Sequence, residues 1–160
     1  MKRHSFAASL ALAILAVLGL AGPVLAQQQV PFKGSLEGVV TVTPLKPPNV
    51  SVLVKATGNA THLGQFALAI PHTVNRANMT ATGTYQFVAA NGDTLTATFS
   101  GKATPTATRG VLSIVETAII TGGTGRFAGA TGSFTCVRLF NTVAGTTAGS
   151  FNGTISAPGP

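Results

Sequence analysis

The chain has 160 residues, ten Lys and Arg against three Asp and Glu, a formal net charge of +7, no tryptophan, one tyrosine and one cysteine. A single cysteine excludes an internal disulfide, and three acids leave few groups for acid/base or metal chemistry. The length fits one domain behind a short leader.

At the N-terminus Lys2 and Arg3 precede an apolar run from Phe6 to Leu20, and Gly22-Pro23 leads into Val24-Leu25-Ala26. That is the layout of a secretory signal peptide, residues 1–26, with cleavage expected after Ala26. Its apolar core of about fifteen residues is shorter than the roughly twenty that span a bilayer. The expected address is secreted or periplasmic. Without the leader, eight bases face Glu37, Asp93 and Glu116, a net charge of +5. Lys33, Lys46, Lys55, Arg76, Lys102, Arg109, Arg126 and Arg138 are scattered singly, without interleaved aromatics, so nucleic acid is not expected as a partner. The charge reads as solubility.

Residues 27–160 read as a single all-β domain. They hold 23 threonines and 17 glycines, and threonine favours strands. Strands are expected at about 32–43, 50–58, 63–71, 79–90, 94–103, 109–120, 132–141 and 147–156. The fifth element shows the pattern best: Leu95, Ala97, Phe99, Gly101 and Ala103 alternate with Thr94, Thr96, Thr98, Ser100 and Lys102, one face apolar and one hydroxylated. Asn91-Gly92-Asp93 before it is a hairpin signal whose Asn-Gly can take positive φ. Thr43–Asn49 and Pro105–Thr108 read as loops, and Ala157–Pro160 as a frayed tail.

Eight strands with short connections and no crossover helix predict an eight-stranded antiparallel β-barrel, which closes its edges without disulfides. A two-sheet sandwich is the structural alternative. An outer-membrane barrel, which strand length and alternation alone do not exclude, is the disfavoured alternative, because aromatic girdles are missing and the chain ends in Ala-Pro-Gly-Pro instead of an apolar strand. No stable membrane insertion is expected.

Gly122–Gly132, GGTGRFAGATG, satisfies the G-x-G-x-x-G/A spacing of a dinucleotide turn at Gly123, Gly125 and Ala128. That reading needs a following helix and an acid about twenty positions on. The strand-like GSFTCVRLF follows instead, and Glu116 is the last acid in the chain. No cofactor is expected. The stretch reads as a tight turn in which Arg126-Phe127-Ala128 form one helical turn between glycines, with Phe127 plugging one end of the barrel.

The run ITGGTGRFAGATGSF, Ile120 to Phe134, resembles the signature segment of the allene oxide cyclase barrel and dirigent-like superfamily. Asn59-Ala60-Thr61-His62-Leu63-Gly64-Gln65-Phe66 and Asn91-Gly92-Asp93-Thr94-Leu95 also resemble exported bacterial proteins with that barrel. The resemblance implies an eight-stranded antiparallel barrel with a central cavity, often oligomeric. It carries over no catalytic residue, since neither Glu37 nor Glu116 aligns to the family's cavity acids.

Glu116, Tyr85 and Arg138 are the candidate catalytic residues. Glu116 shares a strand face with Leu112, Ile114, Ala118 and Ile120. Facing inward, it is a carboxylate in an apolar cavity suited to general acid work. The opposite face, Val111, Ser113, Val115, Thr117 and Ile119, is as apolar, so the pattern does not choose between them. Tyr85 falls on the apolar face with Phe87, its hydroxyl able to aim into a cavity. Arg138 alternates with Phe134, Cys136 and Phe140; if it points inward it needs a partner, and Glu116 is the candidate. Cys136 reads as a buried thiol. His62 and His72 lie at the two ends of one strand without further ligands, so no metal is expected. Asn49, Asn59, Asn78 and Asn152 begin Asn-x-Ser/Thr triplets, acceptors only in a host that glycosylates exported proteins.

The expected function is that of an exported small barrel without catalysis, binding an apolar or amphipathic small molecule in its lumen or serving as an assembly module, with a homo-oligomer as one form. The competing class is an isomerase or cyclase acting in the cavity, assisted by Glu116, Tyr85 or Arg138. The deciding feature is whether those three converge on an open lumen.

Overall fold

The computed structural model describes residues 27–159; the expected signal peptide, residues 1–26, and Pro160 lie outside the described residues. Eight strands follow one another: β1 Gln29–Pro44, β2 Asn49–Ala60, β3 Gly64–Asn75, β4 Thr80–Ala89, β5 Thr94–Pro105, β6 Val111–Gly123, β7 Gly132–Asn141 and β8 Thr146–Ser156. Each pairs antiparallel with its neighbours in sequence, and β1 pairs with β8, which closes the barrel. The sandwich alternative is thereby replaced by one continuous sheet with no free edge.

Period-two alternation decides which side chains enter the lumen. On β3, Phe66, Leu68, Ile70 and His72 are buried; on β5, Leu95, Ala97 and Phe99 are buried, while Thr98, Ser100 and Lys102 face solvent. The lumen holds Phe32, Phe66, Phe87, Phe99, Phe134, Phe151 and Tyr85. The closest ring pair, Phe32 and Phe151, has centroids 5.0 Å apart. Burying each such side chain contributes roughly 1.5–3 kcal/mol, and this replaces the disulfides the chain lacks.

Glycines opposite the large rings make that filling geometrically workable. A Cβ on Gly34 would stand 2.5 Å from the Phe151 ring, and one on Gly58 would stand 2.5 Å from the Phe66 ring. Large side chains therefore occupy space that their cross-strand neighbours leave empty.

The glycine stretch forms the closing device at one end. A β-bulge leaves Thr121 unpaired, with Thr96 opposite Gly122 and Ala97 opposite Ile120. A single 3-10 turn, Gly125–Phe127, follows. Gly122, Gly125, Gly129 and Gly132 have φ of 133°, 57°, 70° and 140°, conformations that side chains with a Cβ rarely adopt. Phe127 is fully buried and plugs this end, as the sequence predicts. β6 and β7 on either side are antiparallel, which removes the parallel βαβ unit a dinucleotide turn requires.

Two expectations need correction. In the β4–β5 hairpin only Gly92 has positive φ, 89°. Asn91 instead accepts a hydrogen bond from the Asp93 amide through its side chain, at 3.1 Å, an Asx turn that needs no left-handed asparagine. The C-terminal tail is tied down as far as Gly159: the Ala157 amide donates to the Gln28 carbonyl at 2.7 Å and the Gly159 amide to the Arg126 carbonyl at 2.9 Å. Chain ends fray only when their amides lack partners, and here the segment leading into β1 and the 3-10 turn supply them.

Candidate functional site

Glu116, Tyr85 and Arg138 all point into the lumen and meet there. The register places Glu116 opposite Gly101 on one side and Cys136 on the other. Arg138 lies opposite Ile114 and Gly149, and Tyr85 opposite Ala97. The glycines provide the room: a Cβ on Gly101 would lie 2.6 Å from Glu116 Cγ, and one on Gly149 would lie 2.5 Å from Arg138 Cβ.

Arg138 grips the carboxylate with two prongs, Nη2 donating to Oε1 at 2.7 Å and Nε to Oε2 at 3.0 Å. The Tyr85 hydroxyl donates to Oε2 as well. The third guanidinium nitrogen, Nη1, donates to Thr147 Oγ1 at 3.2 Å, and Thr147 in turn donates to the Leu139 carbonyl at 2.7 Å. Glu116 and Tyr85 are 0% exposed and Arg138 is 2% exposed. Among the described residues no buried side-chain nitrogen or oxygen lacks a partner. A bidentate, charge-assisted pair of this kind compensates the desolvation of both ions only because the remaining donors are also satisfied.

The surroundings fix the protonation states. Burial pushes the Tyr85 hydroxyl far above its ordinary value, and the neighbouring carboxylate pushes it the same way, so Tyr85 remains a donor. Burial also pushes the Cys136 thiol up to about 11, which leaves it protonated and unreactive. His72 enters the same end of the lumen. Burial lowers its pKa, its Nδ1 lies 2.9 Å from the Ile70 carbonyl, and its ring sits edge-on to Phe99. His62 does not join it: it is exposed in the β2–β3 turn with φ of 67°. Glu37 faces outward and is exposed.

The sequence reading therefore names the three central residues and misses Thr147 and His72 as members of the cluster. The alternation Phe66, Leu68, Ile70, His72 carries a signal for the histidine. Thr147 has none beyond sharing a face with Phe151 and Ile155.

Side chains, not ligand space, fill the lumen around this cluster. Beyond it, toward the ends of β3 to β6, the inward positions Val74, Ala81, Gly83, Gly101, Ala103 and Leu112 are half-buried. Two depressions lie on the outer wall. One of about 900 Å³ is bordered by Ser35, Glu37, Thr57, Asn59, Gln65 and Val88. The other, about 670 Å³, is bordered by Val39, Leu139, Thr146 and Ala148 and shares Glu37 with the first. Neither includes Tyr85, Glu116 or Arg138. No group of three metal-ligating side chains occurs among the described residues.

The closed eight-stranded antiparallel barrel is a dirigent-like fold. Among solved structures the chain is similar to the pterocarpan synthase dirigent protein GePTS1, with a TM-score of 0.55 and 13% identity, over 88% of this chain and 98% of that one. At that identity the likeness is one of fold. No family model and no curated protein sequence matches the chain.

Proposed function

We propose that the chain is an exported, non-catalytic barrel of the allene oxide cyclase-like and dirigent-like kind that works through its surface as a binding or assembly module. One observation carries the reading: both oxygens of the lumen carboxylate are held by Arg138 and Tyr85, while large apolar side chains stand uncovered outside. A general acid or base must present a free lone pair or proton to its substrate. Glu116 is fully buried and its two oxygens already accept three hydrogen bonds, so it meets a substrate only if the cluster rearranges, which weighs against an isomerase or cyclase mechanism.

On the outer wall Val115 lies directly opposite Val137 with Leu139 next on the same face of β7, and Ile119 stands beyond the Thr117–Thr135 pair. Their exposures range from 45% to 62%. Exposed apolar surface of this kind marks association sites, and a second copy of the chain is the proposed occupant. Elsewhere the outer wall carries Lys33, Glu37, Lys55, Lys102 and many hydroxyls around an apolar lumen, the reverse of a membrane-spanning barrel.

Sedimentation velocity across a concentration series tests this. Self-association that is lost in Val137→Asp/Leu139→Asp, with unchanged circular dichroism, supports it. A monomer at every concentration overturns the assembly reading.

A further inference from the structure

The end of the barrel opposite Phe127 is built from four connections: 45–48, 76–79, 106–110 and 142–145. They are tied in two pairs: the Arg76 amide donates to the Pro48 carbonyl at 3.0 Å, and the Thr142 amide to the Gly110 carbonyl at 2.8 Å, while the Gly145 carbonyl accepts from the Val40 amide of β1 at 2.8 Å. The connections are thus held in place and are not four independent tips.

Its chemistry is one-sided. Lys46, Arg76 and Arg109 sit on three of the four connections, all exposed, and none of the four carries an acid. The chain's acids are elsewhere: Asp93 is at the plugged end, held by Arg126 at 3.3 Å; Glu116 is inside the lumen; Glu37 is midway along β1. Neither ion pair found among the described residues involves a rim base. At the plugged end, by contrast, the loop base Arg126 is matched by Asp93.

Apolar side chains crown the same rim. Val143 is 87% exposed at the tip of the β7–β8 connection and Leu45 is 46% exposed on the β1–β2 connection, which is adjacent around the closed barrel. Holding both in water forgoes burial that the fold has no means of supplying.

We propose that this rim docks the barrel on an anionic lipid surface, with Leu45 and Val143 entering the interface and Lys46, Arg76 and Arg109 set against acidic headgroups. The arrangement fits a plane of charge better than a discrete anion. The three bases are dispersed around a ring instead of converging on one point, and the apolar groups project from turns instead of lining a groove. Insertion of isolated apolar tips combined with diffuse electrostatic attraction is how peripheral proteins hold a bilayer without spanning it.

Co-sedimentation of the chain from Gln27 onward, which carries all eight strands and the core, tests the proposal. The vesicles are phosphatidylcholine alone and phosphatidylcholine with phosphatidylglycerol. Binding is expected only to the anionic vesicles and is weakened by salt. Each of Lys46→Gln, Arg76→Gln and Arg109→Gln weakens it about five-fold, and the three together about a hundred-fold. Leu45→Ser/Val143→Ser weakens it at unchanged charge, while Lys33→Gln, far from the rim, leaves it within two-fold or so. Absence of binding to anionic vesicles overturns the proposal. So does binding that ignores the Leu45 and Val143 changes and is matched by a single-stranded oligonucleotide, the result expected of a merely basic surface.

Discussion

Arg138 on β7 holds both carboxylate oxygens of Glu116 on β6 across the strand pair, at 2.7 and 3.0 Å, with both residues sealed from solvent. They are not register partners: Glu116 stands opposite Cys136, and the guanidinium reaches back one step along the inner face. The Tyr85 hydroxyl then reaches the same carboxylate from β4, over the inner face of the intervening β5.

Removing one partner leaves the other charged and buried. Glu116→Ala is expected to cost about 3–5 kcal/mol in denaturant unfolding, whereas Glu116→Gln combined with Arg138→Met recovers a large part of that loss. A double variant as unstable as Glu116→Ala would assign the role to shape instead of charge.

The space beside the pair is equally constrained. A Cβ on Gly149 would stand 2.3 Å from the Val137 carbonyl oxygen and 2.5 Å from Arg138 Cα, and backbone atoms cannot swing aside. Gly149→Ala is expected to cost about 1–3 kcal/mol. Gly64→Ala meets nothing within 4 Å but must hold φ near 64°, a penalty of about 1–2 kcal/mol. Thermal unfolding of the two variants measures a steric and a backbone penalty separately.

At the plugged end the loss should follow the ring and not the ion pair. Phe127→Ala empties a fully buried site and is expected to cost about 3–5 kcal/mol. Arg126→Ala breaks the 3.3 Å contact with Asp93, whose side-chain exposures are 40% and 18%, and is expected to cost about 1 kcal/mol or less. If the arginine variant proves the weaker of the two, its hydrogen bond to the His62 carbonyl organises this end.

His72 makes stability depend on pH. Its pKa is lowered by burial in the fold, with Phe99 and Gly83 beside it and Arg138 and Glu116 the nearest charges. The unfolded chain takes up the proton near the ordinary value of about 6.5. Stability is therefore complete above that value and falls as pH drops below it, until the folded histidine also protonates. His72→Leu should flatten the unfolding midpoint between roughly pH 7 and 5. The lowered Asp93 pKa, caused first by the Asn91 side chain, acts only below about pH 4.

Cys136 should resist a thiol reagent at neutral pH in the folded chain and react stoichiometrically in denaturant. Its thiol is buried and pushed up to about 11, and thiolate is the reactive form. Labelling at the same rate in both states would mean that the lumen opens readily.

The strands were legible because a half-buried strand writes its two faces as alternate residues. Leu95 to Ala103 against Thr94 to Lys102 needs no tertiary knowledge, and the failure of the dinucleotide reading at Gly122–Gly132 follows from local sequence as well. β6 was different. Its outer positions Val115 and Ile119 are as apolar as its inner ones, so periodicity finds the strand there without orienting it. Closure orients it, by setting Glu116 opposite Cys136 and Gly101.

The sequence by itself therefore determined an all-β chain of eight strands, the hairpin at Asn91–Asp93, the plug at Phe127 and the condition that an inward Arg138 would need Glu116. Only the tertiary structure decided that the carboxylate faces inward, that Tyr85, Thr147 and His72 gather around the pair, and that the tail is anchored. It also decided that the lumen is filled and that Lys46, Arg76 and Arg109 share one rim without an acid. Alternation is a property of neighbouring residues, whereas lumen volume, ion pairing and the sidedness of charge depend on which distant strands the closed sheet brings together.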